Sequence, residues 1–322
     1  MARSIKLLTG LACLGVIAIT AAAGLTSRQA QAQCCAGPPP DETTVDAILY
    51  FDPNLRVKNS NISGDIGIAE GGGFIGFGSG TVTGTVMFAA PATAEPLFSP
   101  DGITVTGGAT FGNANVQANA IAVTTLSQTL GRETGTLLSI SGGGSVNAST
   151  GMLDGAGNRV FTANIVGVSN RENAFIAGST FTINGSSSDR VVVNIPSTDG
   201  FGLNGSIVLE GGITPDHVLF NLDAGDFATL SGGDTLLMDT AGNMTTGIFL
   251  DPNGNFKITD TSVFGRIFGG GSQFDSVIQA SNIVAPPPFV TPAPEPASLA
   301  LLGASLIAFG VIRRRHRPPA RP

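Results

Sequence analysis

The sequence predicts a mainly β chain, an irregular β-solenoid with one long helix packed alongside, bounded by an apolar segment at each end. Three observations carry this. Hydrophobic residues make up 42% and charged residues only 12%, which excludes a disordered chain of high charge density. The 45 Gly fall in clusters without a three-residue period, which excludes collagen. Short runs alternate apolar and polar residues between Gly, Asn and Ser breaks, at a density that argues all-β architecture. A β-sandwich remains the alternative, because apolar alternation alone does not separate the two.

Taken in order, residues 1–32 read as a signal peptide. Arg3 and Lys6 precede an apolar core over 7–25, and Ala30-Gln31-Ala32 offers small residues at the two positions a signal peptidase reads. Residues 33–45 form a Cys/Pro-rich lead-in, with Cys34 and Cys35 adjacent. A vicinal bridge, a link to another chain and two thiols all stay open, and no disulfide framework across the domain follows from that pair.

The β-rich extracellular domain spans 46–285. Strands are expected over 81–88 and 102–111, then near 160–168, 175–183, 191–195, 207–209, 218–222, 235–238, 247–250, 256–258 and 263–268. One stretch breaks the pattern. Residues 114–130 lack Gly and Pro, and Val116, Ala120, Val123, Leu126 and Leu130 recur three or four apart. That is one face of a helix, opened by Asn113 or Asn115 and closed by Gly131.

The later half repeats. Val191-Val192-Val193-Asn194-Ile195 returns as Val218-Leu219-Phe220-Asn221-Leu222, an offset of 221 − 194 = 27. Gly247-Ile248-Phe249-Leu250 and Gly265-Arg266-Ile267-Phe268 are looser copies. Rungs of roughly 18 to 28 residues with small-residue corners suit a solenoid, in which Asn194 and Asn221 stack structurally.

A Pro-rich linker, 286–293, leads to Pro294-Glu295-Pro296, an apolar segment over 297–312, and a basic tail over 313–317 containing Arg313, Arg314 and Arg315. Sixteen residues of helix reach roughly 24 Å, short of a hydrocarbon core of about 30 Å. Snorkelling Arg side chains close that gap and hold the tail in the cytoplasm. These parts in this order resemble the PEP-CTERM sorting signal. The resemblance implies that an exosortase reads Pro294, Glu295 and Pro296 and processes the chain there, in a Gram-negative bacterium. Its implied location is the cell surface or the exopolysaccharide matrix, after transient anchoring in the inner membrane.

Residues 62–68 and 80–84, followed by one long helix and the segments 182–195, 217–222 and 263–270, are similar to the ice-binding-protein-like solenoids and the choice-of-anchor A surface domains. The resemblance implies a β-solenoid. The Ala-rich and Thr-rich regularity of a strong ice binder is not evident.

Charge is uneven. Eight basic residues and 22 acidic ones lie between the two end signals, a net of 8 − 22 = −14, which repels nucleic acid and anionic lipid. Neither catalytic nor metal-binding residues are expected, nor any cofactor. His217 is the one His before the tail, reads as a strand-edge residue, and no G-x-S-x-G elbow accompanies it. The segments 154–158 and 251–255 read as turns, and the Gly-rich 76–80 lacks the Lys-Ser/Thr of a phosphate loop. With no Trp and one Tyr, the chain lacks the usual aromatic platforms of a carbohydrate cleft.

Thr81, Thr83 and Thr85, continued by Thr104 and Thr106, form a candidate ligand face. The predicted role is structural or adhesive at the cell surface, with an ice- or glycan-binding module as the alternative. The partners are the signal peptidase and exosortase during export, the membrane before processing, and exopolysaccharide or ice.

Overall fold

The computed structural model describes residues 46–90, 96–140, 143–163, 179–195, 201–222, 234–271 and 275–286. The chain coils through short strands, and most of the described turns visit three faces in the order first, second, third. One block comprises β1 (Asp46–Asp52), β2 (Asn54–Lys58), β3 (Asn61–Ser63), β4 (Asp65–Ile68), β5 (Gly73–Phe77), β6 (Gly80–Val82), β7 (Val86–Phe88), β8 (Phe98–Ser99), β9 (Ile103–Val105) and β10 (Ala109–Thr110). Helix α1 (Ala114–Gly131) then carries the chain along the outside of the first face.

A second block follows with β11 (Thr136–Leu138), β12 (Gly144–Asn147), β13 (Met152–Leu153), β14 (Arg159–Ala163), β15 (Thr180–Asn184) and β16 (Val191–Asn194). It continues through β17 (Phe201–Leu203), β18 (Ser206–Glu210), β19 (Val218–Asn221), β20 (Asp234–Asp239) and β21 (Met244–Asp251). The last turns are β22 (Asn255–Thr259), β23 (Ser262–Gly271), β24 (Ser276–Gln279) and β25 (Asn282–Val284).

The first face reads β10-β7-β4-β1-β23-β21-β19-β16-β14-β11 and the second β17-β20-β22-β24-β2-β5-β8. The first and last described turns therefore meet in the middle of the stack, with β1 on β23, β2 on β24 and β3 on β25. Every pairing among the described strands is parallel except the β13–β14 hairpin. Parallel stacking is the signature of a solenoid, whereas a sandwich packs antiparallel sheets.

The repeats read from the sequence are in register. Val191 to Asn194 pair residue for residue with Val218 to Asn221, and Gly247 to Leu250 with Gly265 to Phe268. Rung length varies from 66 − 48 = 18, between Ile48 and Ile66, to 181 − 144 = 37, between Gly144 and Phe181. Two expected strands are each two strands. The run 81–88 breaks at Gly84, and 102–111 breaks at Gly107 and Gly108. A Cβ on Gly84 would lie 2.4 Å from the carbonyl oxygen of Gly64, so backbone stacks on backbone at that corner. Alternation runs straight through such a corner, so period two does not reveal it.

β21 and β23 are long because they bend around the corner between the third and first faces. The bend lies at Gly247, φ +133°, and Gly265, whose Cβ would sit 1.8 Å from the Gly247 carbonyl oxygen. Inside the coil, Phe201, Phe220 and Phe249 stack along the axis at 6.2 and 5.2 Å between ring centres. Tyr50, fully buried, meets Phe256 edge to face.

A hydroxyl ladder closes the corner between the second and third faces. Asn59, Asp260 and Ala280 take left-handed backbone conformations, which turns the next residue's side chain inward. Ser281 Oγ accepts from Thr261 N at 3.2 Å and donates to Gln279 O at 2.7 Å. Ser60 Oγ accepts from Ser281 N, and Thr261 Oγ1 accepts from Thr240 N. Stacked hydroxyls thus satisfy buried backbone groups where the strand ladder is interrupted.

Helix α1 has Asn113 as its N-cap, Asn113 Oδ1 accepting from Asn115 N, and Gly131 as its last residue. Val116, Ala120 and Leu130 are buried, with Val123 and Leu126 packed beside them, against Leu49, Val192, Leu219, Ile248, Leu250 and Phe268. These are the outward residues of the first face. Asn194 and Asn221 lie among them and hold the helix. Asn221 Nδ2 donates to Ser127 O and to Asn194 Oδ1, both at 3.0 Å, and Ser127 Oγ donates to Asn221 Oδ1 at 2.6 Å. Asn194 Nδ2 donates to Leu130 O at 2.7 Å.

Candidate binding face

The helix covers the first face, while the third face lies open. Its strands in order are β9, β6, β3, β25, then the first halves of β23 and β21. The three-stranded sheet β18-β15-β12 continues it beside β21, where Ile207 N donates to the inward-turned Thr245 hydroxyl at 3.3 Å. Most of these strands are so short that one residue points into the core and its two neighbours point out. Ile62, Val82, Ile283, Val263, Thr245 and Ile207 point in and are buried.

Two outward lanes result. The first runs Thr104, Thr81, Asn61, Asn282, Ser262 and Met244 in direct register, and continues with Ser206 and Thr180, themselves paired. The second contains Ser63, Val284, Phe264 and the buried Thr246 in register, then Val208, Thr182 and Ser145. Thr83 and Thr106 extend it past Ser63, because Thr83 N donates to Ile62 O and Thr106 N to Val82 O. Thr81, Thr83, Thr104 and Thr106 thus come together on one face. Thr85 sits apart at the corner, its N–H on Asp65 Oδ1 at 2.7 Å.

The face is almost free of charge. Glu210 is the only ionisable residue in the strand segments that build it, although the domain carries 20 acids against eight bases. Carboxylates sit instead at corners and turns. Asp189 is one, in the turn after β15. Two hydrogen bonds from Ser186, from its N–H and its hydroxyl, hold the Asp189 carboxyl below the usual range.

The remaining sequence candidates fall elsewhere. His217 is buried in a 3-10 turn over Pro215–His217, immediately before β19, rather than in a strand; the preceding Pro215 favours a turn over strand pairing. The segment 154–158 is the turn of the β13–β14 hairpin, where Asp154 accepts from Ala156 N, Asn158 N and Asn158 Nδ2. This turn borders a cleft of about 390 Å³ against α1, lined by Leu126, Leu130 and Glu133 among others. The segment 251–255 joins β21 to β22 as a turn. Among the described residues no group of three or more His, Cys, Asp or Glu is placed to hold a metal ion, and no helix is long and apolar enough to cross a membrane. Ala30, Ala32, Cys34, Cys35, Pro294, Glu295, Pro296, Arg313, Arg314, Arg315 and the 297–312 segment lie outside the described residues.

Thr81, Thr83, Thr104 and Thr106 are legible in the sequence as strand neighbours, but most of the lanes are not. Ser63, Asn61, Asn282, Val284, Ser262 and Phe264 come from both ends of the domain and meet only because the first and last turns pair.

A family model described as the PEP-CTERM protein-sorting motif matches residues 292–315. A motif of this kind marks an exported, exosortase-sorted surface protein. No curated protein matches the chain in sequence. Among solved structures, an ice-binding protein from an Antarctic biological consortium is 11% identical, with 75% of this chain and 87% of that chain covered and a TM-score of 0.40. One from the Antarctic ascomycete Antarctomyces psychrotrophicus is 12% identical, covering 77% and 98%, with a TM-score of 0.40. LeIBP, from Arctic yeast, is 15% identical, covering 78% and 93%, with a TM-score of 0.43.

Proposed function

We propose that this chain is a structural or adhesive protein of the cell surface or extracellular matrix, whose open third face holds uncharged, hydrated polymer. Signal peptidase and exosortase act on it during export from a Gram-negative cell, with transient anchoring in the inner membrane by 297–312. The supporting observation is the distribution of charge. A domain of net 8 − 20 = −12 leaves one long face lined with Thr, Ser, Asn and a few apolar side chains. Desolvating hydroxyls and amides against a neutral hydroxylated surface costs far less than desolvating carboxylates, and the hydrogen bonds are replaced in kind. The acids on the remaining surface keep the protein soluble and discourage nucleic acid.

A second reading is ice, favoured by the Thr81, Thr83, Thr104 and Thr106 quartet, whose methyls and hydroxyls order water. Co-sedimentation of the exported chain with the producer's extracellular polymer, alongside ice-growth measurements, separates the readings. The adhesive reading expects polymer binding that Ser63→Lys with Thr83→Lys lowers at least tenfold, while Lys257→Glu on the second face leaves it unchanged. Arrest of ice growth without polymer binding moves the assignment to ice, and silence in both removes the third face as a binding surface.

A further inference from the structure

We infer that the third face is a two-lane track for a single neutral polysaccharide chain lying along the solenoid axis; this rests on the adhesive reading above. The dimensions set the direction. Across each rung the face offers only two outward positions, roughly 7 Å apart at the strand rise per residue. Along the axis it crosses nine strands, β9, β6, β3, β25, β23, β21, β18, β15 and β12, which at about 4.8 Å each span on the order of 38 Å. A polymer finds a continuous surface in the axial direction alone.

The lanes differ in chemistry. Over β3, β25, β23, β21 and β18 the first lane presents Asn61, Asn282, Ser262, Met244 and Ser206, amides and hydroxyls that donate and accept at every position but the exposed Met244. Beside them the second lane presents Ser63, Val284, Phe264, Thr246 and Val208, three of the five apolar and Thr246 buried. Phe264 and Val284 are half-buried, and Val208 is 37% exposed. A sugar ring has the same division, with C–H groups on its faces and hydroxyls around its rim. A ribbon-like glycan laid flat places ring faces on Phe264 and Val284 and rim hydroxyls on the amide lane. Ice has no apolar side to match the second lane. A uronate polymer matches the shape, but its carboxylates enter the field of a domain with 20 acids and eight bases, which disfavours association. An axial track also requires length. Each rung adds a weak contact, so affinity grows as the glycan crosses more rungs and stops growing once it spans them.

The test uses the exported chain and β-1,4-linked glucose oligomers of increasing length, with a polyuronate of matched length beside them, by calorimetry or fluorescence. Affinity is expected to rise with length and level off where the extended oligomer reaches about 38 Å, with the polyuronate at least tenfold weaker. Asn282→Lys in the first lane and Phe264→Lys in the second each lower affinity at least tenfold, with circular dichroism unchanged; Lys257→Ala on the second face has no effect. Levelling off at two or three units, equal binding of the polyuronate, or indifference to both lane variants overturns the track. If the oligomers do not bind while the producer's polymer is still lost on Ser63→Lys with Thr83→Lys, the track falls and the adhesive reading stands. If neither binds, both fall.

Discussion

Replacing Asn221 by Ala removes the centre of the clamp that holds helix α1 to the first face. Asn221 is fully buried and takes part in three side-chain hydrogen bonds, to Ser127 O, Asn194 Oδ1 and Ser127 Oγ. Each such bond contributes about 1 kcal/mol net. The change also leaves the Ser127 hydroxyl and Asn194 Oδ1 in a dry site without these partners. Together these put the cost at about 3–5 kcal/mol, a large share of the roughly 5–15 kcal/mol that holds a domain folded. Urea unfolding followed by circular dichroism reads it as a lower midpoint at constant slope.

A companion variant separates polar satisfaction from packing. Changing Asn194 and Asn221 to Leu and Ser127 to Ala removes the polar groups together. Leu130 O keeps its bond from Glu133 N, so the triple variant is expected to be less destabilised than Asn221→Ala alone. A loss below about 1 kcal/mol for Asn221→Ala, or a triple variant weaker than the single one, would refute the clamp.

Ser281→Ala breaks the corner ladder at Thr261 N and Gln279 O; it is expected to cost about 1–3 kcal/mol by urea unfolding, while Ser281→Thr keeps the hydroxyl and most of the stability. Gly265→Ala drives a Cβ against the Gly247 carbonyl, backbone that has no room to move, and is expected to lower the thermal midpoint by more than any surface change to Ala, or to prevent soluble export. Acidification releases the Asp189 turn. Because the folded carboxyl sits below its unfolded value, its contribution is full above the usual carboxylate range near 3.9 and fades as pH falls through the lowered value. Asp189→Asn removes that low-pH step in a chemical-shift titration of the Ser186 amide.

Local pattern revealed the rungs, and stacking decided the rest. Val191 to Asn194 and Val218 to Asn221 were legible as copies because parallel in-register strands repeat the same inward and outward positions. The helix was legible because 114–130 alone lacks Gly and Pro and keeps a period near 3.6. The corners were not. At Gly84 the alternation continues while the chain turns, because close backbone stacking makes the turn without disturbing side-chain polarity. The hydroxyl ladder does leave a trace. Val57-Lys58-Asn59-Ser60-Asn61-Ile62, Ile258-Thr259-Asp260-Thr261-Ser262-Val263 and Ile278-Gln279-Ala280-Ser281-Asn282-Ile283 share one pattern. It is an apolar residue, a left-handed residue two places on, an inward hydroxyl and a second apolar residue. The outward lanes of the third face had no such trace, since Asn61 and Asn282 are 282 − 61 = 221 residues apart in sequence and direct neighbours in the sheet.

The most direct test of the central claim is made on cultures producing the chain with and without Ser63→Lys and Thr83→Lys, by weighing how much exported protein stays with washed extracellular polymer and how much is free in the medium. The account predicts that the unaltered chain remains with the polymer and the doubly substituted one, equally well folded and exported, is found in the medium. Equal retention of both would contradict it.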